Sequence, residues 1–160
     1  MNYLKQPFSY EKILMKIYLD NCCINRPLDD KSQLRIAIES EIVLNILSLV
    51  ESEEIRLISS ELLEFEANKN INIFRREFTF DILNKADAFV KLNDNIETRA
   101  KDFIREGIKP IDALHLASAE EIKADYFCTC DDNFLKKAKK IEDLEIRVIS
   151  LLEIVREIEQ

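Results

Sequence analysis

Apolar residues along this chain follow two rhythms. Short, largely apolar runs occur at Ile17–Asp20, Ile55–Ile58, Ala88–Leu92, Tyr126–Thr129 and Arg147–Ile149. Runs of this length, apolar on both faces, predict short strands buried on both sides. Between them apolar positions return every three or four residues, the spacing of one helix face. Leu34, Ile38, Ile42, Ile46 and Leu49 predict a long helix, opened by Ser32 and ending near Glu53. Ser59 or Ser60 opens a second helix to about Asn68, because a hydroxyl can take up a free amide of the first turn. Phe74, Phe78, Ile82 and Ala86 predict one amphipathic helix within 71–87. Asp94, with Glu97 three residues on, has the spacing of a capping box. That helix runs to Glu106, where Gly107 supplies a left-handed stop. Pro110 suits the first turn of the next helix. Further helices are predicted over Asp132–Lys140 and Leu151–Ile158, and residues 21–31, with Pro27, Asp29 and Asp30, read as loop.

Strands alternating with helices predict an α/β fold, three layers α/β/α around a central, mainly parallel sheet of about five strands. Ligands of such sheets bind beyond the carboxyl ends of the strands. Residues 17–160 form the expected domain and 1–16 an N-terminal extension. Met15 would be a natural start for a domain opening on its first strand. The leading segment therefore reads either as an ordered extension, helical from Tyr10 onward, or as an artefact of start-site choice.

Composition narrows the chemistry. A chain of 160 residues with 47% hydrophobic positions fits one domain with a sizeable core. A single glycine excludes P-loop and dinucleotide fingerprints. No apolar run approaches a membrane span, and no secretory signal is visible, so a cytoplasmic protein is expected. The net charge of -8 argues against a broad electrostatic nucleic-acid binder. It leaves room for an enzyme with local basic patches, for which Arg75–Arg76 and Lys136–Lys140 are candidates. Both also read as ordinary solvated helix faces. Cys22, Cys23, Cys128 and Cys130 lack the paired spacing of a zinc site, and read as small buried hydrophobes near the ends of two neighbouring strands.

Four acids stand out. Asp20 ends the first apolar run, Asp131 follows the fourth, Asp112 opens a helix, and Glu66 sits on a helix above Leu62 and Leu63. Glu64, above Ser60 and Glu61, falls on the polar side instead. Singly each acid has a plainer role, Asp131 as a helix N-cap for instance. Together they fall where the expected sheet would gather them, and gathered carboxylates need a cation among them. His115, the one histidine, reads as a packed or hydrogen-bonded helix residue rather than a proton donor.

At this point the chain resembles the PIN-domain family of metal-dependent nucleases, VapC-type toxins in particular. The resemblance rests on Ile17-Tyr18-Leu19-Asp20, on Ser60 to Glu66, on Asp112 to Ala119, and on Thr129-Cys130-Asp131-Asp132-Asn133-Phe134. It implies catalytic and metal-binding roles for Asp20, Glu66, Asp112 and Asp131. Thr129, Asn133 and Asn21 would support them. Asn21-Cys22-Cys23 departs from the small hydroxyl residues the family usually places after the first acid. The resemblance further implies a Mg2+- or Mn2+-dependent endoribonuclease, with RNA as substrate, a cognate antitoxin and a homodimer as partners, and no membrane. An RNA-processing nuclease that is not a toxin, or a catalytically silent binding module, would share the fold. A phosphoacceptor domain would need adjacent acids after the first strand and a lysine ending the fifth, and has neither.

Overall fold

The computed structural model describes residues 14–160. Most of the expected N-terminal extension, including its helix from Tyr10, lies outside the described residues. In chain order the elements are β1 (Met15–Leu19), α1 (Asn21–Asn25), α2 (Leu34–Glu51), β2 (Ile55–Ser60), α3 (Glu61–Lys69), α4 (Ile73–Leu83), β3 (Ala88–Val90), α5 (Asp94–Arg105), α6 (Pro110–Glu121), β4 (Tyr126–Thr129), α7 (Asp132–Ala138), β5 (Arg147–Ser150) and α8 (Leu151–Ile158).

All five strands run parallel in the order β3-β2-β1-β4-β5. The expected three-layer α/β/α architecture is therefore what the chain forms. β1 is the central strand, with Ile17 opposite Leu57 of β2 and Leu19 opposite Cys128 of β4. Ile17, Tyr18 and Leu19 point to alternate faces and all are fully buried, as a strand covered on both sides requires. The Tyr18 ring stacks on Phe127 at 5.1 Å, and Phe134 of α7 meets Phe127 edge-on at 5.4 Å. This aromatic ladder ties α7 to the sheet beneath the carboxyl ends of β1 and β4.

Several boundaries differ from the sequence reading, each for a local reason. Residues 21–28 are not loop but α1 followed by a single 3-10 turn, Arg26–Leu28. The Asp20 side chain accepts the Asn21 amide, and burial of Cys23 and Ile24 stabilises a turn whose own helix propensity is weak. Ser32 does not cap α2. Its amide is taken by Asp30 Oδ1 at 2.8 Å, and Gln33 precedes the helix without a side-chain cap. Asn93 rather than Asp94 caps α5, its Oδ1 accepting the Ile96 amide at 3.0 Å. α4 is shorter than the 71–87 spacing suggested, running from an Asn72 cap to Leu83. Ser60 does cap α3, accepting the Leu63 amide at 3.0 Å. Gly107 takes the left-handed conformation expected of it, with φ +95°.

Candidate acidic cleft

The carboxyl ends of β1 and β4 open into a cleft of about 380 Å³ lined by Asp20, Glu66, Asp112 and Asp131, together with Asn21, Asn25, Arg75 and others. The four acids picked out in the sequence come from four places in the fold. Asp20 follows β1 directly, Asp131 lies two residues beyond β4, Asp112 sits in the first turn of α6, and Glu66 lies on α3. Asn133 lies beside a smaller adjoining hollow, shared with Asp112, Asp131, Lys109 and Lys137. A larger hollow, about 840 Å³, lies at the opposite end of the sheet, where Glu51, Glu53 and Asp87 are interspersed with Lys16, Arg56 and Lys85.

Local bonding fixes each acid. Asp20 is 7% exposed. Its Oδ1 accepts the Asn21 amide at 2.8 Å, and its Oδ2 accepts the Thr129 hydroxyl at 2.9 Å. Thr129 Oγ1 in turn accepts the Asp131 amide at 3.1 Å, so one hydroxyl couples two of the acids. Asp131 is also the N-cap of α7, accepting the Phe134 amide at 3.0 Å. Its plain structural role and its place in the cleft are thus compatible. Burial pushes the Asp20 carboxyl well above the usual carboxylate range, with the Cys22 thiol and the Asp112 carboxylate adding to the effect. Burial also raises Asp112, with Asp131 as the next cause. A pocket that disfavours its own negative charge is one that a cation would stabilise. Every donor offered by the four acids is oxygen, which suits a hard divalent cation. Asn25 adds a buried Oδ1 at this cleft with no hydrogen-bond partner among the described residues.

Two features of the site escaped the sequence reading. His115, 1% exposed, is hydrogen-bonded as expected, but its partners matter: Nε2 meets Glu66 Oε1, and Nδ1 lies 2.6 Å from the Tyr18 hydroxyl. Tyr18 is 2.7 Å from Ser60 Oγ, which accepts the Leu63 amide. Only one assignment of protons satisfies every atom. Ser60 donates to Tyr18, Tyr18 donates to Nδ1, and Nε2–H donates to the Glu66 carboxylate. Burial pushes the Tyr18 phenol well up, which keeps it a donor. The three-residue step from Asp112 to His115 puts both on one face of α6, which places His115 near the cleft in the sequence without revealing Glu66 and Tyr18 as its partners. The second feature is a knot of thiols. The sulfurs of Cys22, Cys23 and Cys130 all lie within 4.8 Å of one another, whereas Cys128 is fully buried on β4. Hydrogen bonds from Cys22 and Cys23 push the Cys130 thiol down to about 5.

The family model described as "PIN domain" matches residues 17–140. The chain belongs to the PIN-domain family. No curated protein matches the sequence. Among solved structures, the PIN fold of this chain is shared with VapBC2 from Rickettsia felis, solved bound to a DNA fragment from their promoter. That match has TM-score 0.55 at 16% identity, covering 85% of this chain and 98% of that one. A DNA-bound VapBC from Salmonella typhimurium is similar at TM-score 0.55 and 15% identity, covering 86% of this chain and 99% of that one. At such identity the likeness is one of fold.

Proposed function

We propose that this PIN domain is a metal-dependent endoribonuclease that hydrolyses RNA phosphodiester bonds, and that it is the toxin of a type II toxin–antitoxin pair. The observation that carries this reading is the convergence of Asp20, Glu66, Asp112 and Asp131, from four separate elements, on one cleft. Asp20, Asp112 and Asp131 would hold Mg2+ or Mn2+, with Glu66 beside them to orient the attacking water. The bound ion would supply charge neutralisation at the phosphate and a lowered pKa for the attacking water. Asp20 is held in place by Thr129 and the Asn21 amide, so its orientation is set before any ligand arrives. Glu66 has Oε1 committed to His115, which leaves Oε2 to accept a proton from the attacking water. The water oxygen bonds to phosphorus, the bond from phosphorus to the leaving oxygen breaks, and that oxygen takes up a proton. Arg75 at the cleft wall, with Lys109 and Lys137 at the adjoining hollow, offers positive charge to the RNA backbone.

The similar solved structures are VapBC assemblies, which supports a cognate antitoxin as partner. A homodimer acting in the cytoplasm completes the reading. No helix among the described residues is long and apolar enough to cross a membrane. The test is cleavage of RNA with Mg2+ or Mn2+ by the wild type and by Asp112→Asn. Loss of cleavage in the variant is expected, and equal cleavage by both proteins overturns the proposal. The toxin reading is checked by co-expression with the product of the neighbouring reading frame. Arrested growth on expression of the domain alone, relieved by that product, is the expected result.

A further inference from the structure

We propose that Cys22, Cys23 and Cys130 form a binding site for a soft, thiophilic cation of the Zn2+ or Cu+ class, at the wall of the acidic cleft that Cys22 also lines. These thiols read as packing in the sequence. The fold brings them together from two segments more than a hundred residues apart, because β1 and β4 are adjacent and both chains turn at the same edge. Zinc–sulfur bonds of about 2.3 Å place thiolates of a shared ion roughly 3.8–4.0 Å apart. The three sulfurs here lie within 4.8 Å of one another, and Cys23 and Cys130 stand at 3.5 Å. Small side-chain adjustments would therefore close the set on an ion.

The surroundings suit a metal-bound thiolate better than inert packing. The Cys130 amide points at Cys22 Sγ at 3.3 Å, the kind of outer contact that orients ligating sulfur. The Arg26 guanidinium lies beside Cys130, and Arg35 Nη2 donates to the Cys130 carbonyl at 3.3 Å, although both are also paired with carboxylates, Arg26 with Asp29 and Glu39 and Arg35 with Glu39 and Asp132. Cys22 and Cys130 are only partly buried, which gives an ion a way in, whereas Cys23 is fully buried. On binding, any of the three sulfurs still protonated releases its proton to solvent as it bonds the metal, and a fourth position stays open. Sulfur selects against Mg2+ as the cleft oxygens select for it, so the two sites discriminate by hardness. They meet at Cys22, whose Sγ lies 3.4 Å from Asp20 Oδ2 and 3.7 Å from Thr129 Oγ1.

The test titrates the fully reduced, full-length protein with Cd2+ in excess Mg2+ and follows the ultraviolet charge-transfer absorbance of cadmium thiolate. A plateau at about one ion per chain is expected. The absorbance should be lost in Cys22→Ser and in Cys130→Ser, and kept in Cys128→Ala and in Asp112→Asn. X-ray absorption of the zinc-loaded wild type should show sulfur neighbours, a readout that needs no variant. Absence of charge transfer, its survival in both serine variants, its equal loss in Cys128→Ala, or a shell of oxygen and nitrogen alone each overturns the proposal. Because Asp112→Asn keeps this site while losing cleavage, failure here and failure of the nuclease reading are told apart.

Discussion

At the scale of single residues, the cleft couples charge to stability. Burial holds Asp20 and Asp112 above the usual carboxylate range. The folded chain therefore keeps protons that the unfolded chain has already released, and stability falls as pH rises through the folded-state values. Melts in a chelating buffer should show the melting temperature rising as pH is lowered from neutral into the raised range of these two carboxyls. Asp112→Asn should be more stable than wild type at neutral pH and show a shallower pH slope. An identical slope in both proteins would remove the electrostatic account. On the proposed function, His115 would act through Glu66 as a positioning residue. His115→Phe should lower kcat about 10- to 100-fold with KM little changed, because RNA contacts lie elsewhere while the Glu66 carboxylate loses its brace. A drop confined to KM would refute that role. The acids were legible in the sequence because each stood at a place where an element begins or ends. His115 and the three thiols were not, since their meaning depends on partners from 49 to 108 residues away.

At the scale of elements, punctuation residues carried much of the sequence reading, with mixed success. Ser60 and Gly107 do what their chemistry suggests. Asp94 does not, because the neighbouring Asn93 takes the Ile96 amide, and Ser32 does not, because α2 begins only at Leu34 while Asp30 holds the Ser32 amide in the preceding turn. α1 was invisible because its helical turn is stabilised by the Asp20 cap and by burial rather than by propensity. Gly107 allows a clean experiment. A Cβ added there meets nothing within 4 Å, so the cost of Gly107→Ala is that of the backbone at φ +95° alone. About 1–2 kcal/mol of destabilisation is expected by chemical denaturation. An unchanged denaturation midpoint would show that the α5–α6 turn relaxes instead.

For the molecule as a whole, the alternation of strand and helix sufficed to foresee a parallel three-layer fold. Of the strand order only the neighbourhood of β1 and β4 was foreseen, because the rest depends on which buried runs find one another across long crossovers. Mg2+ should tie the assembled acids together, and at a hundredfold over its dissociation constant it should stabilise the protein by about 2.7 kcal/mol. Thermal melts with and without Mg2+ check this, and Asp20→Asn should abolish the gain. The order β3-β2-β1-β4-β5 seats the early strand β1 between β2 and the late strand β4. Asp20 must wait for Thr129, 109 residues downstream, before its carboxylate is held. A ribosome that has not yet released β4 therefore carries a chain whose acidic cleft is still unassembled, and the cleft takes shape only late in synthesis.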